Sequence, residues 1–178
     1  MTRYVAFLRA VNVGGTGKVA MAELKALAEE IGLAEPRTLL QSGNLVFASK
    51  SSSTAALEKL LEREVAARFG VKPDVVVRSA KEIDAVIARN PFAKEAKNDP
   101  GRLHVHFLKS PASAAQVAAL NAAIKGREVV KGAGAEVFIY FPDGAGNSKL
   151  TGAVVERHLG ARGTARNWNT VTKLAEMT

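Results

Sequence analysis

Apolar residues fall along the chain in two patterns, short continuous runs and helix-spaced stripes. Residues 4–8 (Tyr-Val-Ala-Phe-Leu) form a compact run, as expected of a buried strand. After the turn Gly14-Gly15-Thr16-Gly17, Leu24, Leu27, Ala28 and Ile31 recur at helical spacing, and Gly32 is placed to close that helix. Residues 37–41 and 45–48 read as two strands joined by Ser42-Gly43-Asn44, a tight hairpin. Ser51 to Thr54 offer caps to a second helix whose apolar face is Leu57, Leu60, Leu61, Val65 and Phe69. Gly70 ends it, and residues 75–78 form a fourth strand. Strand, helix, hairpin, helix, strand is the split βαβ, ferredoxin-like order.

Ser79-Ala-Lys-Glu82 is a capping box for a helix with Ile83, Val86 and Ile87 turned inward, stopped at Asn90-Pro91. Residues 91–101 read as a loop or linker. A second unit follows: a strand at 103–108, and a helix from the capping box Ser113-Ala-Ala-Gln116 through Ile124. Strands at 128–131 and 136–141 flank Gly132-Ala-Gly134, a helix at 150–159 is closed by Gly160, and a short helix covers 171–177. The fold expected is α+β: a ferredoxin-like unit over 1–78, a helix and linker over 79–101, and a smaller βαββα unit over 102–178. The second unit echoes the first in element order without a residue-level repeat. In the first sheet Val5 and Phe7 oppose Tyr4, Ala6 and Leu8, so both faces are apolar. An open antiparallel sheet would have one polar face. The second unit or another copy of the chain is therefore expected to cover the outer face.

Composition adds boundaries to this picture. With 178 residues, 47 % hydrophobic and 24 % charged, the chain is of globular type. No cysteine is present, which excludes disulfides, thiolate metal sites and a cysteine nucleophile. No apolar stretch approaches the roughly 18 residues of a membrane span, and no targeting segment is visible. A cytoplasmic location is expected. Twenty-five basic against seventeen acidic residues give +8, which favours anionic partners. The excess is spread, +3 over residues 1–78 (eleven basic, eight acidic) and +5 over 79–178 (fourteen and nine).

Several segments are candidates for chemistry. The glycine turn ending in Lys18 could present backbone N–H groups and a helix N-terminus to an anion. It departs from the phosphate loop of nucleotide triphosphatases at Asn12 and Val19, and the hairpin that follows excludes a dinucleotide fold. His104 and His106 alternate along one strand with no third metal ligand nearby, which favours surface or interface residues. Ser148-Lys149 resembles a Ser–Lys dyad, but Ser148 stands where a helix cap belongs. In Thr164-Ala-Arg-Asn-Trp-Asn-Thr170, capping by Asn167 or Asn169 and anchoring by Trp168 explain three residues. Thr164 and Arg166 are left for a ligand, and a guanidinium suits phosphate or carboxylate.

Four blocks carry a family resemblance: residues 4–15 (YVAFLRAVNVGG), 21–24 (MAEL), 41–47 (QSGNLVF) and 164–171 (TARNWNTV) with Lys173-Leu174. Together they closely resemble domain of unknown function 1697. The resemblance implies a mostly bacterial family, a ferredoxin-like unit followed by a second α+β unit, and no established activity. Ala20 stands where the family often has proline.

Arg9, Asn12, Gln41, Asn44, Arg166, Asn167 and Asn169 are polar, lack an evident core role and come from both ends of the chain. With Gly14, Gly15, Ser42 and Thr164 they make up the expected ligand-binding set, meeting in a cleft between the two units around a small phosphate- or carboxylate-bearing ligand. A nucleic-acid-binding module is the alternative, weakened by the spread charge and by an aromatic share of only 6 % where stacking residues are needed. A protein-interaction module without chemistry is a further alternative. No nucleophile, general base, metal or cofactor is assigned, and the oligomeric state is left open.

Overall fold

In a computed structural model, residues 1–15 and 17–178 are described; Thr16 of the predicted glycine turn lies outside them. The chain divides into one unit of residues 1–85 with 174–178 and another of residues 86–173.

The first unit runs β1 (Thr2–Leu8), α1 (Met21–Glu30), β2 (Ala34–Leu39), β3 (Asn44–Ser49), α2 (Thr54–Phe69), β4 (Val75–Ser79). Its four strands form an antiparallel sheet in the order β2-β3-β1-β4, the ferredoxin-like arrangement. Tyr4 pairs with Phe47 and Ala6 with Leu45, on the face that packs against Leu24, Leu27, Leu57, Leu61 and Val65 of the two helices. The Tyr4 and Phe47 rings stack at 5.7 Å, and the Tyr4 hydroxyl donates to Ser51 O at 2.7 Å. Val5, Phe7, Val46 and Val76 alternate to the opposite face and are buried too.

Local signals explain most boundaries. Ser53 caps α2 by accepting from Ala56 N, and Gly70 closes it at φ 66°. The hairpin differs from expectation. Leu40 takes a left-handed φ of 59° and ends β2 at Leu39, while Asn44 belongs to β3, so the loop is residues 40–43. The edge strand β2 is irregular at its start, where Glu35 (φ 49°) precedes Pro36 and the register with β3 shifts. Proline lacks a ladder donor and is tolerated at an edge.

The capping box at Ser79 and Glu82 forms as read, opening α3 (Ala80–Ala88). The expected linker contains a short α4 (Ala93–Asn98) and a 3-10 turn over Pro100–Arg102. The second unit then has β5 (Leu103–Ala112), α5 (Ala114–Ala123), β6 (Val129–Gly132), β7 (Gly134–Tyr140), α6 (Gly152–Leu159) and β8 (Gly163–Asn167), and α7 (Trp168–Met177) begins in it, its residues from Leu174 on being counted with the first unit. Its sheet order, β6-β7-β5-β8, repeats that of the first unit element for element. The sequence pattern does not show β8, because Thr164, Arg166 and Asn167 make it polar. As an edge strand paired only with β5, it needs no apolar alternation. Gly163 lets β8 approach closely, since a Cβ there would lie 2.4 Å from Phe107 O. Ser148 does not cap α6; Thr151 does, accepting from Val154 N, while the Ser148 hydroxyl donates to Glu128.

Candidate functional site

The first unit has a pocket at one end of its sheet, where the chain leaving β1 meets the β2–β3 loop. Its volume is ≈ 470 Å³, and Asn12, Gly15, Lys18, Val19, Ala20 and Gln41 form its walls. Two loops build it. Leu8 N donates to Gly43 O (2.8 Å), and Arg9 bonds Asp74 twice, through its backbone N (2.9 Å) and through Nη1 to the carboxylate (3.0 Å). These bonds hold the end of β1 against its neighbours on both sides.

Asn12 is the joint between the loops. Its Nδ2 donates to Val19 O and to Gln41 O, both at 2.8 Å, and its Oδ1 accepts from Val19 N at 2.8 Å. The backbone N of Asn12 donates to Gly17 O at 2.9 Å. This is a scaffold role: both amide donors are spent on carbonyls of the protein. Ala10 (φ 57°) and Asn12 (φ 54°) are left-handed without being glycine, as is Leu40 in the β2–β3 loop. Such backbone costs on the order of 1–2 kcal/mol per residue and persists only where surrounding bonds impose it. Gly14 and Gly15 face open space, with nothing within 4 Å of where a Cβ would stand.

The helix α1 begins beside the pocket. Its N-cap, Ala20, offers no side-chain cap, so the first-turn N–H groups carry partial positive charge without an intrahelical partner. Glu23 in the first turn makes no hydrogen bond to them among the described residues. Lys18 is exposed on the same wall. Lys18, the cation that ends the glycine turn in the sequence, stands on this wall outside the expected ligand-binding set.

The predicted residues sort into two groups. Arg9, Asn12, Gly14, Gly15, Gln41 and Ser42 lie on the two loops, with Asn44 at their base. Asn44 is fully buried, and its Nδ2 donates to Leu39 O (2.8 Å) and Ser42 Oγ (3.0 Å), so it ties the hairpin from inside. Thr164, Arg166, Asn167 and Asn169 belong to the second unit. Arg166 is 8 % exposed and donates through Nη1 to Thr164 Oγ1 (2.7 Å) and Ala165 O (2.9 Å). Burial pulls its guanidinium pKa down to about 10, which leaves it charged at neutral pH. Asn167 Oδ1 accepts from Thr170 N (3.0 Å) and caps α7, and Trp168 is buried. Asn169 is exposed.

Of the two histidines expected at a surface or interface, His104 is half-buried and His106 is buried. His106 is 8 % exposed, its Nε2 has no hydrogen-bond partner among the described residues, and burial pushes its pKa down to about 3. His104 is shifted down by burial as well, and its ring meets Phe141 edge-on at 5.0 Å. Among the described residues no group of three or more His, Asp or Glu could hold a metal ion. Among them, too, no helix is long and apolar enough to cross a membrane.

Comparison with known proteins places this geometry in a family. The family described as protein of unknown function (DUF1697) matches residues 1–138. No curated protein matches the chain. Among solved structures, the chain is similar to a conserved bacterial protein, SP0830 from Streptococcus pneumoniae, at 27 % identity and a TM-score of 0.78, over 99 % of this chain and 98 % of that one.

Proposed function

The chain belongs to the DUF1697 family, and on that premise we propose that its first unit binds a small phosphate- or carboxylate-bearing ligand. The site is the pocket between the glycine loop and the β2–β3 loop. One observation carries the reading: a helix N-terminus without a side-chain cap opens beside Lys18 into a pocket of ≈ 470 Å³. Backbone N–H groups and the helix dipole favour an anion there, and Lys18 adds a full charge. Gly14 and Gly15 leave the ligand room to approach the backbone. The Gln41 side chain can donate to an oxygen of the ligand and accept from a hydroxyl.

In this reading Arg9, Asn12, Ser42 and Asn44 fix the loops and do not touch the ligand. Arg166, Thr164 and Asn167 serve the second unit through their local bonds. The site offers electrostatic stabilisation and no evident nucleophile, so binding is its first property and any catalysis would rest on oriented charge. A bacterial cytoplasmic protein that recognises an anionic metabolite is the corresponding role.

A thermal-shift series with inorganic phosphate, glucose 6-phosphate and citrate, against glucose as the neutral control, tests the proposal. At least one anion is expected to raise Tm while glucose does not, and Lys18→Ala removes the response. No shift from any anion, or a shift that survives Lys18→Ala, overturns it. Tight RNA binding with a steep salt dependence would instead favour a nucleic-acid module.

A further inference from the structure

The second unit has a pocket of its own, of ≈ 520 Å³, between the end of α5 and α6. We infer that it is a binding site for an anion with an apolar body, such as a medium-chain carboxylate or an aromatic acid. Ile124, Leu150 and Val154 form an apolar floor that continues into the core of that unit. Lys125, Lys149 and Arg157 stand around it. None of these three cations has an ion-pair or hydrogen-bond partner among the described residues. Other surface arginines of the same unit do, as Arg127 pairs with Asp143 and Arg89 with Glu136.

The carboxylate in the pocket wall is already engaged. Glu128 accepts a hydrogen bond from the Ser148 hydroxyl, and its carboxylate is folded over Gly126, where an added Cβ would lie 2.4 Å from Oε2. Three positive side chains against one negative leave a net +2 around a single concavity. Like charges grouped beside an apolar wall repel one another, and an anion offsets that repulsion. The volume falls in the range of sites for small organic ligands, about 300–1,000 Å³. An apolar floor with a cationic rim fits a ligand that is itself divided: bare phosphate would leave the floor wet, and a neutral hydrocarbon would leave the cations unanswered. The segment 148–150, which places Lys149 on the rim, is the Ser-Lys pair singled out in the sequence. Its serine hydroxyl donates to Glu128.

Fluorescence titration of the full chain with anilinonaphthalene sulfonate, an aromatic anion that brightens in apolar surroundings, reads this site directly. Saturable binding is expected, displaced by octanoate and not by n-octanol at the same concentration. Lys149→Glu combined with Arg157→Glu should weaken the probe by about tenfold or more, since two attractions become repulsions. Both positions are exposed, so the fold should tolerate the change. The neutral pair Lys149→Gln and Arg157→Gln should show a smaller loss in the same direction. Lys18→Ala should leave the probe unaffected, which separates this site from the pocket of the first unit. Absence of saturable binding, equal displacement by octanol, or affinity unchanged in both double variants overturns the inference.

Discussion

Asn12 Nδ2 donates to the carbonyl of Gln41 at 2.8 Å, joining two loops that are 29 residues apart in sequence. The same amide bonds both the N–H and the C=O of Val19, just before α1. One side chain thus sets the distance between the glycine loop, the hairpin loop and the helix start. The pocket is a consequence of that joint.

Asn12→Ala is expected to lower stability by about 4 kcal/mol. Each of three lost hydrogen bonds contributes about 1 kcal/mol, and alanine tolerates the left-handed φ of 54° less well than asparagine. Asn12→Gly relieves the backbone part and should recover about 1 kcal/mol. Urea denaturation of the two variants checks the order; equal losses would mean that the backbone conformation at this position carries no strain.

Gly163→Ala should destabilise the protein by about 2 kcal/mol or more, because the new methyl group would meet the Phe107 carbonyl at 2.4 Å and Leu108 Cα at 3.1 Å. Gly152→Ala is the matched control. It lies at the first position of α6, with nothing within 4 Å and without a left-handed φ, so it should be neutral or slightly stabilising. Thermal denaturation of both variants gives the comparison; a Gly163→Ala protein as stable as wild type would mean that β8 does not pack against β5 as described.

His106 makes the fold sensitive to acid. Its pKa falls from the model-peptide value of 6.5 to about 3 on folding, chiefly through burial. The unfolded chain therefore binds the proton first. Stability from this group is complete above pH 6.5 and declines as pH falls toward 3. At pH 5 the loss relative to pH 8 is about 2 kcal/mol. His106→Leu should abolish that part of the slope and, by removing an unpartnered buried nitrogen, should not destabilise the protein at pH 8. Urea midpoints at pH 8 and pH 5 for both proteins provide the check, and parallel losses in the two would refute the assignment.

Most of the fold was legible because its signals are local. Ser79 with Glu82 and Ser113 with Gln116 are capping boxes within one helical turn, and both form. Gly70 and Gly160 close their helices in the left-handed conformation that glycine alone adopts freely. The alternation of apolar residues in β1 and β3 was enough to establish a sheet buried on both faces. The expected ligand-binding set rests only on a composition of polar residues. Asn12 and Asn44, which look free in the sequence, spend their amide donors on groups of the two loops and of Val19, whereas Lys18, named in the sequence only as the end of the glycine turn, lines the pocket.

Periodicity, caps and turn glycines act between residues a few positions apart, so the amino-acid sequence by itself determined most helices, most strands and the ferredoxin-like order of the first unit. What required the tertiary structure is whatever depends on partners far along the chain. The polar segment 163–167 becomes a strand only because residues 104–108 offer it an edge, completing a second sheet in the same order as the first. His106 is neutral and buried because of the sheet and helices assembled around it. Hydrogen-bond satisfaction and burial are properties of the assembled neighbourhood, and no local pattern encodes them.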